Sequence, residues 1–360
     1  MSHYEQRLEA DLDNIILNVR NLASQVGGAL HNAVEALLSG DATLAHTTVL
    51  GDNPINRDSR NVDRLCHAFI ARHLPSAGHL RLMSATVRAN VALERIGDYA
   101  VTISRESLQL PAPPREEISK VLKALAWGTE SLLEDAIAAF CDRDEEKARA
   151  LMPDAKRMEL GMDRIYSDLF DSKSNPSNRE TISIFVVYNQ LKRVADQAKN
   201  ICDQTVFATT GEAKASKAAK ILFIDAENSR SQLAEALARK MFPHSGRFSS
   251  AGADPADSVN PHLLAFLEDR GLEPNDLSMS SLDSIGEHLG DYKVVISLDR
   301  PVQEYLPQLP FHTSALNWDI EALPADLSGD ELTARFESLY RSLGARIDDL
   351  MQILVGDDAS

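Results

Sequence analysis

The chain has 360 residues, 44% hydrophobic and 25% charged, the balance of a soluble protein with room for two or three domains. Its net charge is −17 and its pI about 5.0, which excludes a nucleic-acid binder, because phosphate backbones need a basic face. Residues 221–360 hold 10 Lys and Arg against 24 Asp and Glu, a net −14, leaving −3 for residues 1–220.

The opening residues, MSHYEQRLEADLDN, carry charges where a signal peptide would be apolar, and no stretch reads as a membrane span. A cytoplasmic location without membrane insertion is expected. Cys66, Cys141 and Cys202 are too few for a disulfide framework and sit in amphipathic stretches as small buried hydrophobes.

Residues 1–210 have almost no strand signal. Leu8, Leu12, Ile15, Val19, Leu22, Val26, Leu30, Val34 and Leu37 recur at helical spacing along one long helix. Gly40-Asp41 interrupts it, with Asp41 as N-cap of a second helix that runs to about His73. A third is predicted over 77–108, and Pro111, Pro113 and Pro114 make a stiff connector. Helices are then expected over 116–141, 143–171 and 178–209. The first helix of each half ends alike, with Asp41 and Ala45 matched by Asp144 and Ala148. The reading is two tandem three-helix repeats, 1–110 and 115–210.

Residues 211–219 read as a linker. After it the period changes. ILFID (221–225), a helix near 231–242, FSSAG (248–252), a helix over 261–270, YKVVISLD (292–299), SALNW (314–318) and a final helix over 330–354 alternate strand with helix. That order predicts a small three-layer α/β domain with a parallel sheet over 220–356.

Two constellations carry chemistry. In LERIGDYA (93–100), Glu94 and Asp98 lie one turn apart and share a helix face; Asp52 and Asn56 repeat that spacing on the antiparallel second helix. Two such pairs make a hard oxygen set for a divalent or trivalent cation, and the alternative is a solvated surface. In ILFIDAENSRSQLAEAL (221–237), strand, tight loop and helix aim backbone N–H groups at an anion, with Asn228, Ser229, Arg230 and Ser231 as candidate contacts.

ERIGDYAVTIS, with LPSAGHLRLM and GDATLAHTTVLGDNPIN before it, resembles the PhoU family of phosphate-signalling regulators; LKRVADQAKNICDQ (191–204) resembles the same signature in the second repeat. The resemblance implies a six-helix bundle and iron or another metal at Asp52, Asn56, Glu94 and Asp98. As partners it implies a phosphate-specific ABC transporter ATPase and a phosphate-sensing histidine kinase, with a homodimer as a further expectation. The second metal site keeps only Asp196, since Lys192 stands at the Glu position and an ammonium repels a cation. His79 stands at a usual Asp, and Pro54 is unusual inside a helix.

The 221–237 stretch, with SSAGADPADSVNP, KVVISLD and LNW, resembles the low-molecular-weight tyrosine phosphatase and arsenate reductase family, whose loop is Cys, five residues, Arg, Ser. Here Asp225 stands at the thiol, the loop is one residue shorter, no cysteine follows Cys202, and no Asp-Pro follows Trp318. Thiol chemistry is therefore impossible in this domain. Asp225 puts negative charge where a phosphate would sit, and pairing of Arg230 with Asp225 is expected. The reading is a cytoplasmic regulator of phosphate uptake and starvation signalling, carrying a pseudo-phosphatase that works by contact, its charge suited to a basic partner. The competing readings are a phosphatase using Asp225 or a bound metal, and a metal-binding structural bundle.

Overall fold

A computed structural model describes residues 3–153, 178–212, 218–255, 261–272, 279–310, 313–321 and 330–356. The chain divides into two compact units, Met1–Lys214 and Ala215–Ser360.

The first unit is helical: α1 (His3–Ser39), α2 (Ala42–His73), α3 (Ala77–Ser107), α4 (Glu116–Asp142), α5 (described over 145–153) and α6 (Asn178–Thr210). The rest of the helix expected over 143–171 lies outside the described residues. The apolar stripe of α1 is buried from Leu12 to Leu37, and one core joins α1 to α4 and α6.

The repeat is visible at two corners. Gly40 leaves α1 at φ 75°, and Arg143 leaves α4 at φ 57°. The next residue caps the following helix each time: Asp41 Oδ1 accepts the Leu44 N–H at 3.0 Å and Asp144 Oδ1 accepts that of Lys147 at 2.9 Å. Ala45 and Ala148 then pack fully buried. Helix α2 continues through Pro54. Proline has no N–H for the Leu50 carbonyl, and the Asn53 side-chain amide donates to that oxygen instead, at 3.3 Å.

The second unit is a four-stranded sheet ordered β2-β1-β3-β4, all parallel: β1 (Ala219–Asp225), β2 (Gly246–Gly252), β3 (Val294–Ser297) and β4 (Ser314–Asn317). Strand β1 begins inside the expected 211–219 linker. Its residues alternate between two cores. Ile221 and Phe223 face the helices α7 (Arg230–Met241), α8 (Pro261–Asp269) and α11 (Asp330–Val355). Leu222 and Ile224 face the layer carrying α9 (Leu282–Ile285) and α10 (Val302–Tyr305). The strand order reverses between β1 and β3, and the carboxyl ends flanking such a point are where doubly wound sheets place ligand sites.

Candidate functional site

Asp225 ends β1 at that switch point and is fully buried. The loop after it folds back on the end of β2: the Ala253 N–H donates to the Asp225 carbonyl at 3.2 Å and the Asp254 N–H to that of Ala226 at 2.9 Å. Asn228 is buried at φ 56°. Gly252 makes room for this turn, since a Cβ there would lie 2.7 Å from the Asn228 nitrogen. Helix α7 then starts at Arg230.

The Asp225 carboxyl sits over the start of α7. Its Oδ2 accepts the Arg230 backbone N–H at 2.9 Å and its Oδ1 meets Ser231 Oγ at 2.8 Å. Burial pushes its pKa up; the Ser231 hydrogen bond and the Arg230 charge and N–H oppose this, and the nearby Asp299 charge adds to it.

The expected pairing of Arg230 with Asp225 is present, and Arg230 has further partners. Its Nε is 3.5 Å from Asp225, but its terminal nitrogens go elsewhere. One donates to the Ile320 carbonyl at 2.7 Å and the other to Asp299 Oδ2 at 3.1 Å. The pairing with Asp225 is thus the longer contact, because both terminal nitrogens reach past it to the segments following β3 and β4.

Asp299 is the residue the sequence reading missed. Its carboxylate accepts the Ala226 N–H at 3.2 Å, the Arg300 N–H at 3.0 Å and the Tyr305 hydroxyl at 2.8 Å. Burial pushes the Tyr305 phenol up to about 12, and the Arg300 guanidinium lies 4.2 Å from its ring centroid. The signal was present: an Asp just past a strand that pairs with β1. Of the other candidates, Ser231 is buried in the cluster, Ser229 is half-buried with no side-chain capping bond, and Glu227 is exposed. Trp318 packs in the core, 6.0 Å from Phe223 between ring centroids.

In the bundle, Asp52, Asn56 and Glu94 are half-buried where α2 meets α3, and Asp98 is exposed at the rim. Asn56 Nδ2 donates to Asp52 Oδ2 at 2.6 Å. Asp52 Oδ1 is buried without a hydrogen-bond partner. Gly97 permits the approach, since a Cβ there would lie 3.2 Å from Ile55 and 3.7 Å from Asp52 Oδ1. Desolvation and then the charges of Asp98 and Asp52 raise the Glu94 pKa; desolvation and then Asp52 raise that of Asp98. Among the described residues no three His, Cys, Asp or Glu side chains converge closely enough to hold an ion. The donor chemistry and the orphaned oxygen fit a hard cation; the present side-chain positions form no closed cage. In the second repeat, Lys192 and Asp196 are half-buried one turn apart on α6, each with an interaction of its own.

The three cysteines are free and buried, and burial raises their thiols to about 12, 11 and 12 for Cys66, Cys141 and Cys202.

The fold defines the class: a helical bundle of two repeats, joined to a parallel α/β unit of phosphatase architecture. Residues 19–107 and 122–205 match the PhoU domain, and residues 220–355 match the low molecular weight phosphotyrosine protein phosphatase domain. The phosphate-specific transport system accessory protein PhoU of Serratia marcescens is 27% identical over 215 residues, 58% of this chain and 87% of its own. The crystal structure of PhoU from Pseudomonas aeruginosa has the same bundle fold, with TM-score 0.54 and 24% identity over 57% of this chain and 99% of that one. An arsenate reductase in the phosphate binding state aligns at TM-score 0.31 and 23% identity over 38% of this chain and 98% of its own; the family match, rather than that superposition, assigns the second unit. No helix among the described residues is long and apolar enough to cross a membrane.

Proposed function

We propose that this protein regulates phosphate uptake and phosphate-starvation signalling by protein contact in the cytoplasm, its partners being the ATPase of a phosphate-specific ABC transporter and a phosphate-sensing histidine kinase. The observation that carries this reading is the PhoU-family bundle, whose relatives are accessory proteins of phosphate-specific transport. Self-association into a homodimer is part of the proposal and is read by light scattering.

The phosphatase-fold unit is proposed to be catalytically silent. Three features support this. A carboxyl replaces the thiol nucleophile, both its oxygens are engaged, and the arginine that would grip a phosphate is held by Asp299 and the Ile320 carbonyl. A phosphate entering the loop would meet two carboxylates, and a repulsion of about 1.4 kcal/mol already weakens binding tenfold. Attack by Asp225 itself is disfavoured because the residue is wholly buried.

A deletion strain tests the regulatory reading: phosphate uptake and starvation-gene expression become insensitive to phosphate, and the full chain restores control. Unchanged uptake and expression in the deletion refute it. The silent site is tested with an aryl phosphate and by mass spectrometry of Asp225. Turnover by the wild type that Asp225→Asn abolishes, or a phospho-adduct on Asp225, refutes silence.

We also propose that Asp52, Asn56, Glu94 and Asp98 take a divalent or trivalent metal, iron among the candidates. The orphaned Asp52 oxygen and the raised pKa values of Glu94 and Asp98 support it.

A further inference from the structure

Helix α3 carries arginines at 81, 88 and 95, one every seven residues. Seven residues are nearly two helical turns, so the three fall on one face, drifting about 20° per step. Arg88 and Arg95 are exposed. Helix α6 runs antiparallel beside α3, and its exposed Arg193 joins the same strip.

Two of these cations, Arg88 and Arg193, are held in place by aromatic rings, and Arg95 lies near enough to Glu94 for its charge to act on that carboxyl. The Arg88 guanidinium lies 5.7 Å from the centroid of Phe207, and that of Arg193 lies 5.8 Å from Tyr99, each ring coming from the opposite helix. None of the four arginines forms an ion pair with a described residue. Arg81 Nε is buried without a hydrogen-bond partner. A stacked guanidinium keeps its donors and has lost much of its rotamer freedom, so it binds an acceptor at lower entropic cost.

Spacing selects the ligand. Adjacent α3 arginines start about 10.5 Å apart along the axis, and the row extends about 21 Å. A single small anion reaches only one of them. A partner helix with a carboxylate every seventh residue reaches all three in register. We infer that the α3–α6 face, through Arg81, Arg88, Arg95 and Arg193, is a docking strip for an acidic α-helix of a partner protein. The inference goes beyond the regulatory reading and does not rest on it, since the strip is a property of the bundle surface.

The test uses the full chain and two fluorescent helical peptides of about three heptads. One carries Glu at every seventh position. Its isomer, of equal composition, carries the same glutamates clustered at one end. Anisotropy is expected to show salt-sensitive binding of the heptad peptide, at least tenfold tighter than its isomer. Arg88→Glu with Arg95→Glu weakens that binding at least tenfold with unchanged helicity, and Arg88→Lys with Arg95→Lys retains most of it. The milder Arg88→Gln with Arg95→Gln replaces the reversal if helicity falls. Equal affinity for both peptides, no binding of the heptad peptide, or insensitivity to the arginine substitutions overturns the inference. So does arginine-dependent flotation with phosphatidylglycerol vesicles in place of peptide binding, which would make the strip a membrane contact.

Discussion

Ser231 Oγ lies 2.8 Å from Asp225 Oδ1, and the same oxygen lies 2.8 Å from Asn228 Oδ1. A hydroxyl has one proton and cannot donate to both acceptors. The chain of bonds closes when the Asn228 amide is turned so that its Nδ2, otherwise buried without a partner, donates to Ser231, and the Ser231 hydroxyl donates to Asp225. Burial acts against that bond and raises the Asp225 pKa.

The first prediction follows from that burial. Asp225 has a native pKa above its ordinary 3.8, so the native state holds the proton more tightly than the unfolded state. The stability this contributes is present below 3.8 and is lost as pH rises through the native value, at about 1.4 kcal/mol for each tenfold difference in proton affinity between the two states. Asp225→Asn can accept the Arg230 N–H and donate to Ser231 without titrating. The variant is expected to match or exceed wild-type stability at neutral pH and to lack part of the wild-type decline above 3.8. Trp127 and Trp318 fall in different units, so urea titrations in a Trp127→Phe background follow the α/β unit alone. Identical pH dependence in both forms would refute the raised Asp225 pKa.

Asp299 is predicted to hold the loop shut. Removing one partner of a buried ion pair costs about 3–5 kcal/mol. The Arg230 and Asp299 side chains are 12% and 18% exposed, so screening lowers the expected cost of Asp299→Ala to about 2–3 kcal/mol. Asp299→Asn, which keeps an acceptor for the Ala226 N–H, loses less. The same fluorescence titration reads both variants. A loss under about 1 kcal/mol for the alanine form shows that Arg230 does not depend on this carboxylate.

Local signals carried most of this fold. The stripe of α1, the Asp41 cap and the apolar run of β1 are each set by near neighbours in the chain, so periodicity and capping chemistry expose them. Asp225 was legible for the same reason, standing beside its own loop. Asp299 and the Ile320 carbonyl reach Arg230 from 69 and 90 residues away, and only the β1–β3 and β3–β4 pairings bring them there. Backbone acceptors leave no mark in side-chain identity, so the second anchor of Arg230 was invisible. The carboxylates of α2 and α3 were found by spacing, yet the orphaned Asp52 oxygen depends on how closely Gly97 lets the helices approach.

The two repeat corners predict opposite responses to substitution. Gly40 and Arg143 both have positive φ, which glycine adopts freely and arginine only at a cost. Arg143→Gly is expected to stabilise the bundle by about 0.5–1 kcal/mol, the relief of strain exceeding the added entropy of the unfolded chain. Gly40→Ala is expected to destabilise it by about 1–2 kcal/mol. Its Cβ would also come 3.0 Å from the Pro113 ring. Thermal melts of the bundle transition decide it. A shift of the same sign in both variants would show that the corners are not equivalent.

The carboxylates at the α2–α3 junction predict an inversion on metal loading. Glu94 and Asp98 have native pKa values raised above 4.5 and 3.8, so ionising them in the metal-free bundle costs stability. That cost is absent below those values and grows as pH rises through the native ones. In chelator at pH 7, Glu94→Gln and Asp98→Asn are therefore expected to melt above wild type, and near pH 3 the three forms converge. A hard cation reverses the order, because it binds the folded carboxylate set and stabilises by mass action. With manganese or ferric iron added, wild type is expected to gain melting temperature and to retain metal on elemental analysis, while Glu94→Ala and Asp98→Ala do neither. If the added ion shifts wild type and the alanine variants equally, the junction is a strained carboxylate cluster of the bundle surface and holds no metal.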